Sequence, residues 1–124
     1  MGYKVLIVED STASREFIAS TIQLIEGAEV VCAGSGFDAL KLLPRYRFDL
    51  IITDINMPDI NGLELINFVK KNPNYRETPL FIVSTEASEH SRRRSLELGA
   101  AEYLVKPFPP EVLSSLVLRY VKTG

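Results

Sequence analysis

Five polar side chains in this sequence stand directly at the ends of short apolar runs. Glu9 and Asp10 follow Val5-Leu6-Ile7-Val8, Asp54 follows Leu50-Ile51-Ile52-Thr53, Ser84 ends Leu80-Phe81-Ile82-Val83, and Lys106 follows Tyr103-Leu104-Val105. If these runs are parallel strands of one sheet, the five groups gather where α/β sheets bind their ligands, beyond the carboxyl ends of the strands. Any one of the acids alone reads equally well as a helix cap or turn former; the constellation is what points to chemistry. Two unit charges about 4 Å apart repel by roughly 4 kcal/mol at an effective dielectric near 20, so converging carboxylates demand a counter-charge. A divalent cation supplies it. Hard oxygen donors suit Mg²⁺, with Mn²⁺ as a substitute, and a chain with one cysteine and one histidine has no zinc-binding cluster. With the metal and the Lys106 ammonium on phosphoryl oxygens and the Ser84 hydroxyl donating to a third, the charge of phosphoryl transfer is stabilised. A carboxylate is then a competent nucleophile and forms an acyl phosphate.

The elements that must position these groups alternate between two periodicities. The apolar runs, with Val30-Val31-Cys32-Ala33 added, lack polar alternation and suit strands buried on both faces. Between them lie helical stripes: Phe17/Ile18, Thr21/Ile22 and Ile25; then Leu63, Ile66 and Val69; then Val112/Leu113, Leu116/Val117 and Tyr120. These are expected to be core contacts. Gly27, Gly62 and Gly99 fall at helix edges, where a positive φ is common, and Pro44 is expected to end the second helix early. The order is βαβαβαβαβα, which crossover rules turn into an open, doubly wound parallel sheet with helices on both faces. Residues 91–98 carry the weakest stripe, interrupted by Arg92, Arg93 and Arg94, and are expected to form a mobile element.

Composition narrows the function classes. A chain of 124 residues with 46% hydrophobic and 24% charged residues has the profile of one soluble globular domain, residues 1–124. The formal net charge is -2 and only Arg92–Arg94 cluster, so nucleic acid is not expected as a direct partner, and the triplet reads as a solvated helix face. Cys32 has no second cysteine to pair with and lies in an apolar run, so it is expected to be a buried core residue. No charged segment followed by an apolar stretch opens the chain. The expectation is a reduced, cytoplasmic protein without membrane contact.

Glu9-Asp10, Thr53-Asp54-Ile55-Asn56-Met57-Pro58 with Gly62, Ser84, and Val105-Lys106-Pro107-Phe108 occur in that order over essentially the entire chain. Together they resemble the CheY-like receiver domains of two-component response regulators. The resemblance implies a flavodoxin-like (βα)5 fold with a parallel sheet of order 2-1-3-4-5, of which CheY is itself a standard example. It implies that Asp54 accepts a phosphoryl group from a histidine kinase or phosphotransfer domain. Glu9, Asp10 and Asp54 would hold Mg²⁺ with the backbone carbonyl of Asn56, Ser84 and Lys106 would contact the phosphoryl group, and the Lys106-Pro107 bond would be cis. It further implies a switch, in which Ser84 moves toward the phosphoryl group and Tyr103 packs inward. That motion would reshape the surface of the fourth helix, fifth strand and fifth helix, where a downstream protein docks; Arg92–Arg94 and Phe108-Pro109-Pro110-Glu111 would be exposed parts of this face. Such a protein is a signalling protein rather than an enzyme, catalysing only its own phosphorylation and autodephosphorylation, as a monomer or weak phosphorylation-dependent dimer.

Some positions depart from the commonest family pattern. Glu9 replaces an aspartate found in many members, which implies metal contact through water and weaker binding. Thr85 replaces a smaller residue and is expected to narrow access to the acyl phosphate. Asn56 and Glu86 match the pair that borders the route of attacking water in chemotaxis-type members, implying a short phosphate lifetime. His90 is expected to face solvent. Three alternatives remain at this level. With no output segment after Gly124 and a last helix running through residues 120–124, the chain is either a stand-alone chemotaxis-type regulator or a receiver cut from a longer regulator or hybrid kinase. A non-phosphorylated scaffold that only binds protein is the second alternative. The third is a dehalogenase-type phosphatase, which needs an acid two residues after its nucleophile; this chain has Asn56 there and little room for a substrate cap.

Overall fold

The computed structural model describes residues 2–121. Its elements are β1 (Tyr3–Val8), α1 (Thr12–Gln23), β2 (Ala28–Ala33), α2 (Gly36–Leu42), β3 (Leu50–Asp54), α3 (Gly62–Lys71), β4 (Leu80–Ser84), α4 (Glu89–Leu98), β5 (Glu102–Val105) and α5 (Pro110–Tyr120). Every strand pair is parallel and the sheet order is β2-β1-β3-β4-β5, as the resemblance implies. The chain starts in the middle of the sheet, winds outward to β2, then returns past β1 to β3. The strand order therefore reverses between β1 and β3, which places the crevice at their carboxyl ends.

Two apolar layers hold the sheet. On one face Leu6, Val8, Ile51 and Ile82 pack with Ala39 of α2 and with Leu65, Ile66 and Val69 of α3, while Leu96 and Leu98 of α4 lie at the edge of the cluster. On the other, Val5, Ile7, Ile52, Phe81 and Val83 pack with Ile18 and Ile22 of α1 and with Leu113 and Val117 of α5. Each fully buried aliphatic side chain contributes roughly 1.5–3 kcal/mol of transfer free energy, so the strands beneath the site are its most stable part.

The continuous apolar runs are buried on both faces only where the sheet is central. All residues of β3 and β4 are buried, whereas β2 and β5 are edges with partly exposed side chains. Cys32, expected in the core, is exposed on β2, an edge strand with a neighbour on one side only. The helical stripes are right in place but shifted in detail. Leu65 is buried in α3 although the stripe passed over it, while Phe17 and Val112 lie on the exposed flanks of α1 and α5. In α4 only Ser95 is buried, and three arginines face solvent.

Helix ends follow their caps. Ser11, Ser35 and Ser88 accept backbone N–H bonds at the starts of α1, α2 and α4, and Asn61 with Glu64 forms a reciprocal capping box at α3. α2 stops at Leu42, just before Pro44, which falls in a short 3-10 turn. Gly27 and Gly99 take the expected positive φ, 87° and 119°. Gly62 does not, and its need for glycine is one of space: a Cβ there would lie 2.3 Å from the Asp54 carbonyl oxygen. Of the last helix as read from sequence, residues 122–124 lie outside the described residues.

Candidate functional site

Asp54 is the last residue of β3 and Glu9 the first after β1, so parallel pairing brings their side chains side by side at the crevice. Glu9 is 1% exposed and Asp54 8%, while Asp10 is exposed. One carboxylate oxygen from each of Glu9, Asp10 and Asp54 lies within 4.8 Å of the others. Lys106 enters from the end of β5, where its backbone N–H donates to the Ser84 carbonyl at 2.8 Å, and its peptide bond to Pro107 is cis. Its ammonium donates to Glu9 Oε1 at 2.6 Å and to Asp54 Oδ2 at 3.2 Å.

The remaining carboxylate oxygens are oriented by backbone. Asp54 Oδ1 accepts from the Asn56 N–H at 3.3 Å, and Glu9 Oε2 accepts from the Ser11 N–H at 3.1 Å. The Arg15 guanidinium donates to the Glu9 carbonyl at 2.8 Å, fixing the turn between β1 and α1. Burial works against the charge on Lys106, but the hydrogen bond to Glu9 and the fields of Asp54 and Glu9 outweigh it, and its pKa is raised. Three carboxylates thus face one ammonium. A hard divalent cation fits this donor set, because it supplies the missing charge to oxygen-only ligands.

Ser84 is fully buried, but its hydroxyl is turned toward the β4–α4 loop, where it accepts from the Glu86 N–H at 3.0 Å; it makes no hydrogen bond to Asp54 or Lys106 among the described residues. The half-buried Tyr103 donates its hydroxyl to the Glu86 carbonyl at 2.6 Å, and burial is the main cause of its raised pKa. Both residues therefore grip the same peptide segment. Thr85, Glu86 and His90 are exposed. Phe108 is half-buried rather than an exposed part of the α4–β5–α5 surface: its ring centroid is 5.7 Å from that of Phe17, on the α1 side of the sheet.

The structure brings Glu9, Asp10, Asp54 and Lys106 together at one place and adds residues that the sequence reading missed. Asp59 accepts backbone N–H bonds from Gly36 and Phe37, tying the β3–α3 loop to α2. No spacing rule announces a partner 23 residues away. Arg15 was hidden for the same reason, as one polar residue in an amphipathic helix. The strand ends, by contrast, were legible because each polar residue closed an apolar run.

The sequence profile of a family described as "Response regulator receiver domain" matches residues 5–118. The chemotaxis protein CheY homolog of Campylobacter jejuni is 35% identical over 122 residues, covering 98% of this chain and 94% of that protein. Response regulator protein FleR of Pseudomonas aeruginosa is 37% identical over 120 residues, 97% of this chain and 25% of that protein. Among solved structures, chemotaxis response regulator CheY4 of Vibrio cholerae superposes with a TM-score of 0.89 at 37% identity, covering 98% of this chain and 100% of that one.

Proposed function

The chain belongs to the response regulator receiver domain family, and on that premise we propose that it accepts a phosphoryl group on Asp54 from a phosphohistidine donor and thereby switches its affinity for a downstream protein. The observation that carries this reading is the Lys106 ammonium shared between Glu9 and Asp54, next to a third acid. An Asp54 oxygen attacks phosphorus, the P–N bond of the donor breaks, and the histidine nitrogen leaves with the electron pair. Lys106 already touches Asp54 Oδ2 and is placed to follow the charge onto the phosphoryl oxygens. Asp10, Asp54 and the Asn56 carbonyl would hold Mg²⁺ or Mn²⁺, with Glu9 contributing directly or through water; the oxygens of Glu9 and Asp54 each accept one hydrogen bond and keep a further lone pair for the cation or its water. When bound, the metal supplies charge neutralisation to carboxylates and phosphoryl oxygens alike.

The switch in this proposal begins at Ser84. Drawing its hydroxyl toward the phosphoryl group breaks its bond to the Glu86 N–H, and Tyr103, held by the Glu86 carbonyl, follows. The surface of α4, β5 and α5 then changes, and a partner that prefers the new surface shifts the population toward it. A chemotaxis-type regulator working in the cytoplasm is the setting we propose; the chemotaxis part rests on the Campylobacter homolog and Vibrio CheY4, which are named as chemotaxis proteins and match nearly end to end. Among the described residues no helix is long and apolar enough to cross a membrane.

Incubation with Mg²⁺ and acetyl phosphate, followed by intact mass measurement of the parent and of Asp54→Asn, tests the reading. A phosphate adduct in the parent that is absent in the variant supports it. An equal adduct in both would mean that another residue carries the phosphoryl group and would overturn the reading, whereas no adduct in either favours a scaffold of receiver fold that binds protein without phosphorylation.

A further inference from the structure

The β3–α3 loop leaves Asp54 and carries Asn56, whose backbone N–H meets Asp54 Oδ1. Its far end is fixed by the Gly62 N–H on the Ile55 carbonyl at 2.8 Å and by the Asn61–Glu64 capping box. Its flank rests on α2. There the Asp59 carboxylate accepts from the Gly36 N–H at 3.1 Å, the Phe37 N–H at 2.9 Å and its neighbour Ile60 N–H at 2.7 Å. The approach is close enough to require glycine: a Cβ on Gly36 would lie 2.6 Å from Ile60 Cβ and 2.9 Å from its carbonyl oxygen. α2 has its own cap in Ser35, which accepts from the Asp38 N–H at 3.1 Å. Asp59 therefore uses N–H groups that the helix's own cap leaves free, and the contact serves the loop as much as the helix.

We propose that Asp59 is a positioning residue for the phosphoacceptor site, anchoring the β3–α3 loop to α2 so that the Asn56 backbone stays turned toward Asp54. The inference rests on the phosphoacceptor reading above and adds a residue that touches neither metal nor phosphoryl group. The bonds to backbone N–H groups, that from Phe37 foremost, hold the Asp59 carboxyl at a pKa of about 2, so the anchor is charged at neutral pH. Residues that orient metal ligands from behind typically change metal affinity by about tenfold or more when removed, so a loss near the low end is expected.

The test is a Mg²⁺ titration followed by amide chemical shifts in the parent, Asp59→Ala, Asp59→Asn and Ser35→Ala, with the melting temperature of each. Ser35→Ala removes the α2 cap without touching the loop. Asp59→Ala is expected to bind Mg²⁺ about tenfold more weakly, Asp59→Asn, which keeps one acceptor oxygen, to fall between it and the parent, and Ser35→Ala to match the parent despite its own stability loss. The Asn56 amide signal should move in Asp59→Ala even without metal. Parent-like affinity and an unmoved Asn56 signal in Asp59→Ala overturn the inference, as does equal weakening in Ser35→Ala. If Asp59→Ala does not fold, parent-like affinity in Asp59→Asn together with an unmoved Asn56 signal is the overturning result. A parent that takes up no Mg²⁺ overturns the phosphoacceptor reading itself, a distinct result.

Discussion

Replacing Lys106 with methionine keeps an unbranched apolar stem and removes the one ammonium that, among the described residues, touches the Glu9 and Asp54 carboxylates. Two acids whose oxygens lie within 4.8 Å then repel by about 3.5 kcal/mol at an effective dielectric near 20. Lys106→Met is therefore expected to lose about 3 kcal/mol at pH 7, in line with the cost of breaking other buried pairs. For a domain of this size that is a drop in melting temperature of roughly 10 °C at pH 7. The Lys106 pKa is raised above its ordinary 10.5, so the parent's advantage is fully present below that value and is lost as pH rises through the raised one. Millimolar Mg²⁺ should recover much of the loss, since the cation replaces the missing charge. Urea unfolding of the parent and the variant, with and without Mg²⁺, measures both effects. A deficit that Mg²⁺ leaves unchanged would mean that packing rather than charge was lost. A deficit at pH 7 below about 1 kcal/mol would refute the convergence of buried acids on which the calculation rests.

Two other outcomes follow from the structure. Gly62→Ala puts a methyl group against the Asp54 carbonyl oxygen, at 2.3 Å, and against Ile55 Cα, at 2.8 Å, so backbone must move. A loss of roughly 1–3 kcal/mol in urea unfolding is expected, with slower adduct formation from acetyl phosphate; unchanged stability and rate would contradict the close packing of α3 on the site. Asp59 has a folded pKa of about 2, below its ordinary 3.8. A depressed value means stability that is fully present above pH 3.8 and is lost as pH falls through 2. Acid unfolding of Asp59→Asn should thus lack part of the parent's decline in that window, and superimposable acid limbs would argue against the anchor.

How far the sequence could be read depended on whether the deciding contact was local. β1, β3 and β4 are central and buried on both faces, so their continuous apolar runs marked them, and the polar residue closing each run marked the site. β2 and β5 are sheet edges, and nothing within Val30-Val31-Cys32-Ala33 says that the strand lies at an edge; Cys32 was misjudged for that reason. Gly62 was visible as a helix-edge glycine, but its purpose depends on the Asp54 carbonyl beside it. Asp59 and Arg15 act through backbone groups of other elements, contacts that exist only once the sheet has formed. Ser84 illustrates a third case: its place at the end of β4 was legible, whereas the direction of its hydroxyl, toward the Glu86 N–H, is a choice between two partners that sequence does not record.

The central claim is that one carboxylate, Asp54, carries the phosphoryl group. An acyl phosphate is reduced by borohydride to an alcohol, which converts the phosphorylated aspartate to homoserine while free carboxylates survive. Treating the protein with acetyl phosphate and Mg²⁺, quenching with borohydride and sequencing the peptides by mass spectrometry reads the site directly. Homoserine at position 54, dependent on both donor and Mg²⁺, is the predicted result. Homoserine at Glu9's neighbour Asp10 or at Asp59 instead, with position 54 unmodified, would contradict the account.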